Sequence, residues 1–595
     1  MLNRASQSRV PVTKDITFPA PTAGWVKSVN ITTAAPNQAE VLENFFPTAQ
    51  GARLRGGSTE YADIGAAVKQ LFTYSSGADT LFASAASGIY DCDRINLGGT
   101  NFADVTGLGS GDWSTAQIST SGGQFVVAVN GVDVMEYYDG ANWFPINDAT
   151  VRKVPYKTLS APFSVGQTVT GGTSGATAVI QSITQISATS GTFLVGTITG
   201  GPFVLNEGLT SATGVAVCRS ASSTASTVTI TGVSTSDLSQ TWLFKERLFF
   251  IEKNSLSAWY LPVKSIGGAA VEIPLGAAFH RGGNLLFGAT WSLDSGSGID
   301  DVCIFATDRG EIAVYSGTDP SSSSTWALTG IYEIAPPKTK HDSFKAGGDL
   351  ALLTADGIIP VSSALQKDRA ALQSTAITFP IEDGWKAAME SRTTEKPVTA
   401  TLWQSRAMLL VGVPGEGSVA FVANAKTGAW ATYTGWDVRC SAVASDLLFF
   451  GSADGIVRQA EDGGADGDLA YTGLYVPKFS DLGAPQRKVA IHAGLTVRAT
   501  KSPSFAMAAF SDYKIGTYPT TTPINTTSGA TWGTGTWGTF VWGGTSSLVA
   551  YSLWKTVRAG GYSLAPVVVV SSNQTEPPEF EILATRLRYE IAATL

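Results

Sequence analysis

Residues 424–463 read NAKTGAWATYTGWDVRCSAVASDLLFFGSADGIVRQAEDG, and this stretch decides the fold. Strand-forming residues surround Trp430, and an apolar run at residues 447–450 follows a second turn. Asp454-Gly455 then reverses the chain, because an Asp-Gly pair supplies the positive φ that a two-residue hairpin needs. The stretch therefore predicts a strand, a tight turn and a second strand.

The same pattern of apolar strand, polar turn and second strand recurs along the chain. Its copies are residues 81–91, 125–140, 247–260, 302–317, 350–361, 407–422 and 447–461. A lone four-stranded unit cannot bury both of its faces and must stack on neighbours. The recurrence predicts a mostly β protein with a β-propeller core of six or seven blades. A pair of β-sandwiches is the structural alternative.

Length and composition agree with this class. The chain has 595 residues, 64 of them glycine, and charged residues make up only 15%. Such a chain exceeds one hydrophobic core, and its Gly, Thr and aromatic content is typical of β structure with many turns. The net charge of −8 argues against a global basic surface for tight nucleic-acid binding. MLNRASQSRV lacks the apolar segment of a signal peptide, and no apolar run is long enough to span a bilayer.

Breaks in the repeat pattern divide the chain. We assign residues 61–151 and 228–462 to the propeller blades and residues 1–60 to an N-terminal arm and anchoring hook. Residues 152–227 are predicted to be an inserted small β-barrel or sandwich, because PFSVGQTVTGGTSGATAV and PFVLNEGLTSATGVAV read as an internal duplication. Residues 463–595 are predicted to be a C-terminal β-rich platform domain.

Three short segments depart from the β pattern and are predicted to be helical. Asn37 is placed to cap a helix that ends at Phe46, before Pro47. Residues 364–372 and 384–390 are rich in helix formers.

The residues that most often carry chemistry are scattered. Cys92, Cys218, Cys303 and Cys440 lie far apart and predict buried free thiols, which suits a reducing cytoplasm. His280, His341 and His492 are equally separated, so no metal site or catalytic triad follows from them. Gly533-x-Gly535-x-x-Gly538 matches a dinucleotide fingerprint by letters only, because it lies in a Gly/Trp-rich stretch with Trp532, Trp537 and Trp542.

The acidic residues offer two weak candidates. Ser292–Gly296 begins a sialidase-like Asp-box without its aromatic residue, and a glycosidase would need paired carboxylates. The acids available for such a pair are Asp300, Asp301, Glu382 and Asp383, and loop acids are usually solvated. A second candidate is Asp462, Asp466 and Asp468, whose oxygens could hold calcium, although their spacing is not that of an EF-hand. We therefore assign no catalytic, cofactor-binding or metal-binding residue, no cofactor and no enzymatic activity.

Three stretches resemble one protein family. Residues 424–463 are similar to the tail nozzle (tail tubular protein B) of short-tailed bacteriophages. APNQAEVLENFFPTAQGARLRGGS at residues 35–58 resembles the start of the same family, and EFEILATRLRYEIA at residues 579–592 resembles its end. The inserted duplication looks like a decoration outside this resemblance.

The resemblance implies a structural virion protein. Nozzle proteins form a hexameric tube below the portal and its adaptor (tail tubular protein A-like) ring, with a propeller in each subunit and tail fibres or spikes nearby. They retain the packaged genome and conduct it at ejection. The expected location is then the virion tail, after assembly in the host cytoplasm, around double-stranded DNA that is not tightly bound. A DNA-gripping role would instead use Arg53, Arg55, Arg586 and Arg588.

Two other classes of function stay open. A receptor- or glycan-binding tail attachment protein would expose an aromatic platform on its propeller. A glycoside hydrolase would show paired acids in a central pocket.

Overall fold

The computed structural model describes residues 13–28, 34–86, 88–95, 101–147, 151–224, 228–292, 301–322, 324–393, 396–413, 419–499, 504–523 and 549–591. The chain is mostly β, with a β-propeller core, an inserted small β domain and a C-terminal β-rich domain. Its first strands are β1 (Thr13–Pro19), β2 (Ala39–Glu43), β3 (Phe45–Pro47), β4 (Ala52–Leu54) and β5 (Ser58–Asp63).

The helix predicted from Asn37 to Phe46 is wrong. Strands β2 and β3 occupy this segment, and Asn44 between them has φ +57°, which no α-helix tolerates. Leu42 and Phe45 are fully buried between the two sheets of the C-terminal domain. Burial in a sheet therefore outweighs the local capping pattern.

The first two blades follow the N-terminal strands. Blade 1 consists of β6 (Gln70–Ser76), β7 (Ala78–Ala85), β8 (Gly88–Ile95) and β9 (Asn101–Thr106). Blade 2 consists of β10 (Ser114–Thr120), β11 (Gly123–Val129), β12 (Glu136–Tyr138) and β13 (Trp143–Pro145). Each is an antiparallel four-stranded sheet.

The inserted domain is a barrel between blades 2 and 3. Its strands are β14 (Arg152–Ala161), β15 (Thr168–Gly171), β16 (Thr177–Ser187), β17 (Ser190–Val195), β18 (Gly208–Thr210), β19 (Val215–Cys218) and β20 (Ser223–Thr224). The sheet closes because β14 pairs with both β17 and β19.

The two copies of the duplication are related by local two-fold symmetry. Equivalent residues Thr170 and Thr210 face each other where β15 pairs antiparallel with β18. Glu207 accepts hydrogen bonds from the backbone of Thr173 and Ser174 in the first copy. Its counterpart Gln167 bonds the hydroxyls of the second copy's turn. Each copy of the duplication therefore supplies a side chain that hydrogen-bonds the turn of the other copy.

Blades 3, 4 and 5 follow the inserted domain, and the helices come after blade 5. Short strands β21 (Ile230–Thr231) and β25 (Gly268–Ala269) pair separately, while blade 3 consists of β22 (Leu238–Phe244), β23 (Arg247–Glu252), β24 (Ser257–Tyr260) and β26 (Val271–Pro274). Blade 4 consists of β27 (Leu285–Trp291), β28 (Val302–Thr307), β29 (Glu311–Gly317) and β30 (Trp326–Glu333). Blade 5 has three strands, β31 (Ser343–Ala346), β32 (Asp349–Thr354) and β33 (Gly357–Pro360), followed by α1 (Val361–Ala364), α2 (Arg369–Leu372) and α3 (Glu382–Ser391). The helices overlap the two helical segments predicted after blade 5.

The N-terminal segment completes the last blade. Blade 6 consists of β34 (Thr399–Trp403), β35 (Met408–Gly412), β36 (Val419–Asn424) and β37 (Ala429–Thr434). Blade 7 consists of β38 (Cys440–Ala444), β39 (Leu447–Gly451) and β40 (Ile456–Ala460), with β5 as its outermost strand. The seven hairpins predicted from sequence are present, one in each blade.

Apolar clusters between neighbouring blades close the ring. Phe82 of blade 1 packs with Trp143 of blade 2, and the equivalent clusters continue from each blade to the next. The last cluster joins Phe449 of blade 7 to Leu81 of blade 1. Each blade thus buries both faces, as stacking of repeats requires.

The C-terminal domain is built from two sheets around a shared core. Its own strands are β41 (Tyr471–Pro477), β42 (Lys488–Ala499), β43 (Ala506–Ser511), β44 (Val549–Gly561), β45 (Leu564–Ser572) and β46 (Phe580–Ile591). One sheet combines β42, β44 and β46 with β1, β3 and β4, and the other extends blade 6 through β2, β41, β45 and β43. The arm predicted at residues 1–60 therefore contributes strands to this domain and to blade 7.

The hairpin between β39 and β40 differs in detail from the prediction. Gly455 has φ +90°, as expected, but Asp454 is not in the left-handed region. The Ser452 amide donates to the Ile456 carbonyl, so three residues form the loop. This matches a three-residue hairpin loop with glycine at its last position rather than a two-residue turn.

Replacing Gly455 tests this turn. A Cβ at this position would lie 2.7 Å from the Ala66 backbone nitrogen, in a conformation that L residues avoid. We expect Gly455→Val to lower the free energy of unfolding by at least about 1 kcal/mol. The exposed neighbour change Ala453→Ser should have little effect. Equal loss from both variants in urea unfolding would contradict the assigned turn.

Candidate functional site: the junction of the propeller and the C-terminal domain

The three stretches that resemble the nozzle family meet at one junction. Strand β2 pairs with β37 in parallel, with Glu43 opposite Thr432, and antiparallel with β41. Strand β4 pairs with β46 through Ala52 and Ile582. Segments from both ends of the chain and from blades 6 and 7 therefore form one structural unit.

Arg55 lies at the centre of this junction. Its side chain is fully buried and forms a bidentate ion pair with Asp466, with Nη1–Oδ1 and Nη2–Oδ2 distances of 2.9 and 2.6 Å. The remaining donors go to Asn44 Oδ1 and to the carbonyls of Gly56 and Thr434, at 2.8, 2.8 and 2.9 Å. All five guanidinium N–H groups are thus satisfied, as a buried arginine requires.

Aromatic rings surround the guanidinium. Its carbon lies 3.9 Å from the ring centroid of Tyr471 and 4.9 Å from that of Trp436. Trp436 Nε1 also donates to Asp466 at 3.0 Å. The rings exclude water and attract the cation, so they strengthen the ion pair that they enclose.

A second ion pair lies beside the first. Arg53 Nη1 is 2.6 Å from Glu461, which also accepts hydrogen bonds from the Gly56 amide and the Tyr433 hydroxyl at 3.0 Å each. Burial alone would raise the pKa of Glu461, but the charge and hydrogen bond of Arg53 lower it overall. Burial raises the pKa of Tyr433 well above its usual value, so the phenol stays a hydrogen-bond donor.

Ion pairs engage three of the four arginines singled out in the sequence. Arg53 and Arg55 are engaged with carboxylates, and Arg588 pairs with Asp15 at 2.7 Å. Of the calcium candidates, Asp466 is held by Arg55, Asp462 accepts from the Thr59 hydroxyl, and Asp468 is exposed. Within the described ranges no group of three or more His, Cys, Asp or Glu side chains is arranged to hold a metal ion.

The described glycosidase candidates lie at two separate places in the fold. Asp301 precedes β28 in blade 4 and lies 3.9 Å from Lys245. Glu382 and Asp383 begin α3, and Glu382 bonds Lys386 and Gln373. Asp300, residues 293–296 of the partial Asp-box, the glycine fingerprint at 533–538 and Trp532, Trp537 and Trp542 lie outside the described residues.

The prediction of buried free thiols is confirmed. All four cysteines are buried and unpaired to one another, and burial raises the pKa of Cys440 to about 12. The histidines lie apart: His280 is exposed beside blade 4, and His492 lies on β42. Neither forms a catalytic arrangement with a cysteine.

The third histidine belongs to a network across the propeller axis. His341, at the start of blade 5, bonds Asp112 of blade 2 at 2.6 Å and Gln70 of blade 1 at 2.8 Å. Neighbouring Lys340 donates to the carbonyls of Asp112 and Ser239, at 2.5 and 3.0 Å. Blade 5 is separated from blades 1 and 2 by other blades in both directions around the ring. These bonds therefore bridge the axis and join blades 1, 2, 3 and 5.

The neighbours of Asp112 lower its pKa, whereas burial lowers the pKa of Lys340. Burial would raise the pKa of Asp112, but the hydrogen bond and charge of His341, together with Lys340, lower it well below its usual range. Asp112 is therefore ionised at neutral pH and holds the two residues of blade 5. Sequence reasoning missed this network, because its members come from four blades that lie far apart in the chain.

Several solved structures are similar to this chain at low identity. The chain is similar to Sqt1 of Saccharomyces cerevisiae at 12% identity and a TM-score of 0.34, over 68% of this chain and 98% of that one. Virginiamycin B lyase of Staphylococcus aureus matches at 12% identity and a TM-score of 0.25, over 68% and 97%. The β-propeller domain of Cps50 (Swd1) from Myceliophteria thermophila matches at 6% and 0.25, over 68% and 99%. No protein-family model and no curated relative matches the chain.

None of these similarities is strong enough to support an argument about this chain. In the described residues, no helix is long and apolar enough to cross a membrane.

The Arg55–Asp466 pair can be tested with a conservative change. Arg55→Lys keeps the positive charge but cannot form the bidentate pair, so some of the buried acceptors lose their hydrogen bonds. We therefore expect the free energy of unfolding to fall by at least about 2 kcal/mol. Arg458→Lys, at the more exposed pair with Asp454, is the matched control and should cost less than about 1 kcal/mol. Chemical denaturation followed by tryptophan fluorescence measures both. A similar small loss from the two variants would contradict a central role for Arg55.

Proposed function

We propose that this chain is a structural subunit of the tail nozzle of a short-tailed bacteriophage, acting as one of six copies in a ring. The observation that carries the proposal is the convergence at the junction. Residues 35–58, 424–463 and 579–592 carry the resemblance to nozzle proteins, and their strands pair or pack with one another. The resemblance therefore concerns one connected unit rather than three unrelated segments.

The propeller serves as a rigid wall in this proposal. Its axis is bridged by Lys340 and His341, which bond side chains and carbonyls of three other blades. DNA therefore runs through a channel enclosed by the six copies and not through the propeller of one copy. The adaptor ring lies above this tube, and fibres or spikes lie beside it, in a virion tail assembled in the host cytoplasm.

The charge distribution suits a conduit that releases DNA. Each phosphate neutralised by a cation adds salt-dependent affinity, which would slow ejection. The chain has a net charge of −8, and Arg53, Arg55 and Arg588 are paired with carboxylates. Of the four arginines named for a DNA-gripping role, these three are therefore already neutralised within the chain.

Electron microscopy of labelled particles tests the proposed location. An antibody against this chain should label the tail end of virions from the virus that encodes it, at a ring with six-fold symmetry. Labelling of a trimeric fibre or a monomeric appendage would favour the attachment function instead. Absence of the chain from purified particles would overturn both.

A gel-shift measurement tests separately whether the chain binds DNA weakly, as the proposed conduit requires. The purified chain should bind double-stranded DNA only weakly, with a Kd above about 1 μM at about 150 mM salt. A sub-micromolar Kd would contradict it. Loss of that binding in Arg586→Ala with Arg588→Ala would then assign the grip to β46.

A further inference from the structure

A cavity of about 400 Å³ opens beside the junction. Its walls include Glu43 of β2, Thr434 at the end of β37, Thr472 and Leu474 of β41, and Leu469 before β41. Asp466 also lines it, but that carboxylate is already held by Arg55. The acid available to a ligand is therefore Glu43.

Glu43 differs from the other partly or fully buried acids around it. Glu40, on the same strand, is paired with Lys27 and Lys478, and Glu461 is paired with Arg53. For the Glu43 carboxylate, the described part of the chain supplies neither a hydrogen bond nor a nearby cation, and burial raises its pKa. Its titratable neighbour is Tyr518, a phenol whose pKa is raised by burial and by the charge of Glu43. A half-buried carboxylate without a partner is costly, and a cation in the cavity would remove that cost.

Beside Glu43 the lining is apolar, because Leu474 is its partner in the register of β2 and β41. Leu474 lines the interior, and Leu469 at the rim has 73% of its surface exposed. Exposure of a large apolar side chain beside an unpartnered acid fits a ligand with an aliphatic stem and a cationic head.

We propose that this cavity binds an alkylammonium or alkylguanidinium group. The charged head pairs with Glu43, and the methylene chain lies along Leu469 and Leu474. Two kinds of molecule carry such a group. One is a lysine or arginine side chain of a second copy of this chain, and this source rests on the proposed ring. The other is a free polyamine.

Calorimetric titration of the full chain with butylguanidinium tests the site directly. We expect saturable binding that weakens at least tenfold in Glu43→Gln, because a charge-assisted hydrogen bond is lost. Asp468→Asn, at an exposed acid just before Leu469, is the matched control and should bind as the wild type does. Equal binding by wild type and Glu43→Gln, or no saturable binding by wild type, would overturn the proposal.

Two further measurements show whether weaker binding by Glu43→Gln comes from the lost carboxylate and not from loss of folding. Glu43→Gln should unfold at a temperature no lower than the wild type, since it removes an unpaired buried charge. With the wild type alone, uncharged n-pentanol should not compete with butylguanidinium, and affinity should fall as pH drops through the raised pKa of Glu43. Competition by pentanol, or binding that does not change with pH, would show that Glu43 is not the partner.

Particles assembled with each variant distinguish the two sources. If a second copy supplies the cation, particles carrying Glu43→Gln should lack six-fold rings that wild-type particles show. If rings persist while the variant no longer binds butylguanidinium, a free polyamine is the ligand. Absence of rings from wild-type particles would reject the proposed function and leave the titration result as it stands.

Discussion

The buried ion pair between Arg55 and Asp466 is the contact on which the rest of the structure depends. Moving two charges out of water is costly, and the cost is offset only when every donor and acceptor is satisfied. Here the guanidinium bonds Asn44 from the N-terminal segment, the Thr434 carbonyl from blade 6 and Asp466 from the start of the C-terminal domain. Satisfying one arginine thus requires three parts of the chain to be in register.

This requirement links the propeller to its neighbour domain. Strand β5 begins three residues after Arg55 and closes blade 7, whereas β2 and β4 precede Arg55 and belong to the sheets of the C-terminal domain. The N-terminal segment therefore joins both bodies, and the ion pair fixes the point at which it passes between them. Because β5 closes blade 7 and follows Arg55 so closely, the propeller cannot lose this strand without also disturbing the junction.

Local patterns predicted much of the fold, and long-range contacts explain what they missed. The hairpins followed from strand-forming runs around Asp454-Gly455 and similar turns, because both signals act within a few residues. The segment from Asn37 to Phe46 failed, since its conformation is set by partners in β37 and β41 that lie hundreds of residues away. For the same reason the sequence offered Arg55 only as a residue that could grip DNA and Asp466 only as a weak calcium candidate, although each is the partner of the other. The candidate site could not be predicted from spacing, whereas the propeller could.

Native-state hydrogen exchange on the Arg55→Lys variant tests the central claim most directly. If the ion pair joins the two bodies, protection should fall by the same amount in β5 of the propeller and in β2 and β41 of the C-terminal domain. Amides of β23 in blade 3, far from the junction, should change little. A loss confined to β5, or to β41, would show that the propeller and the C-terminal domain open independently and would contradict the account.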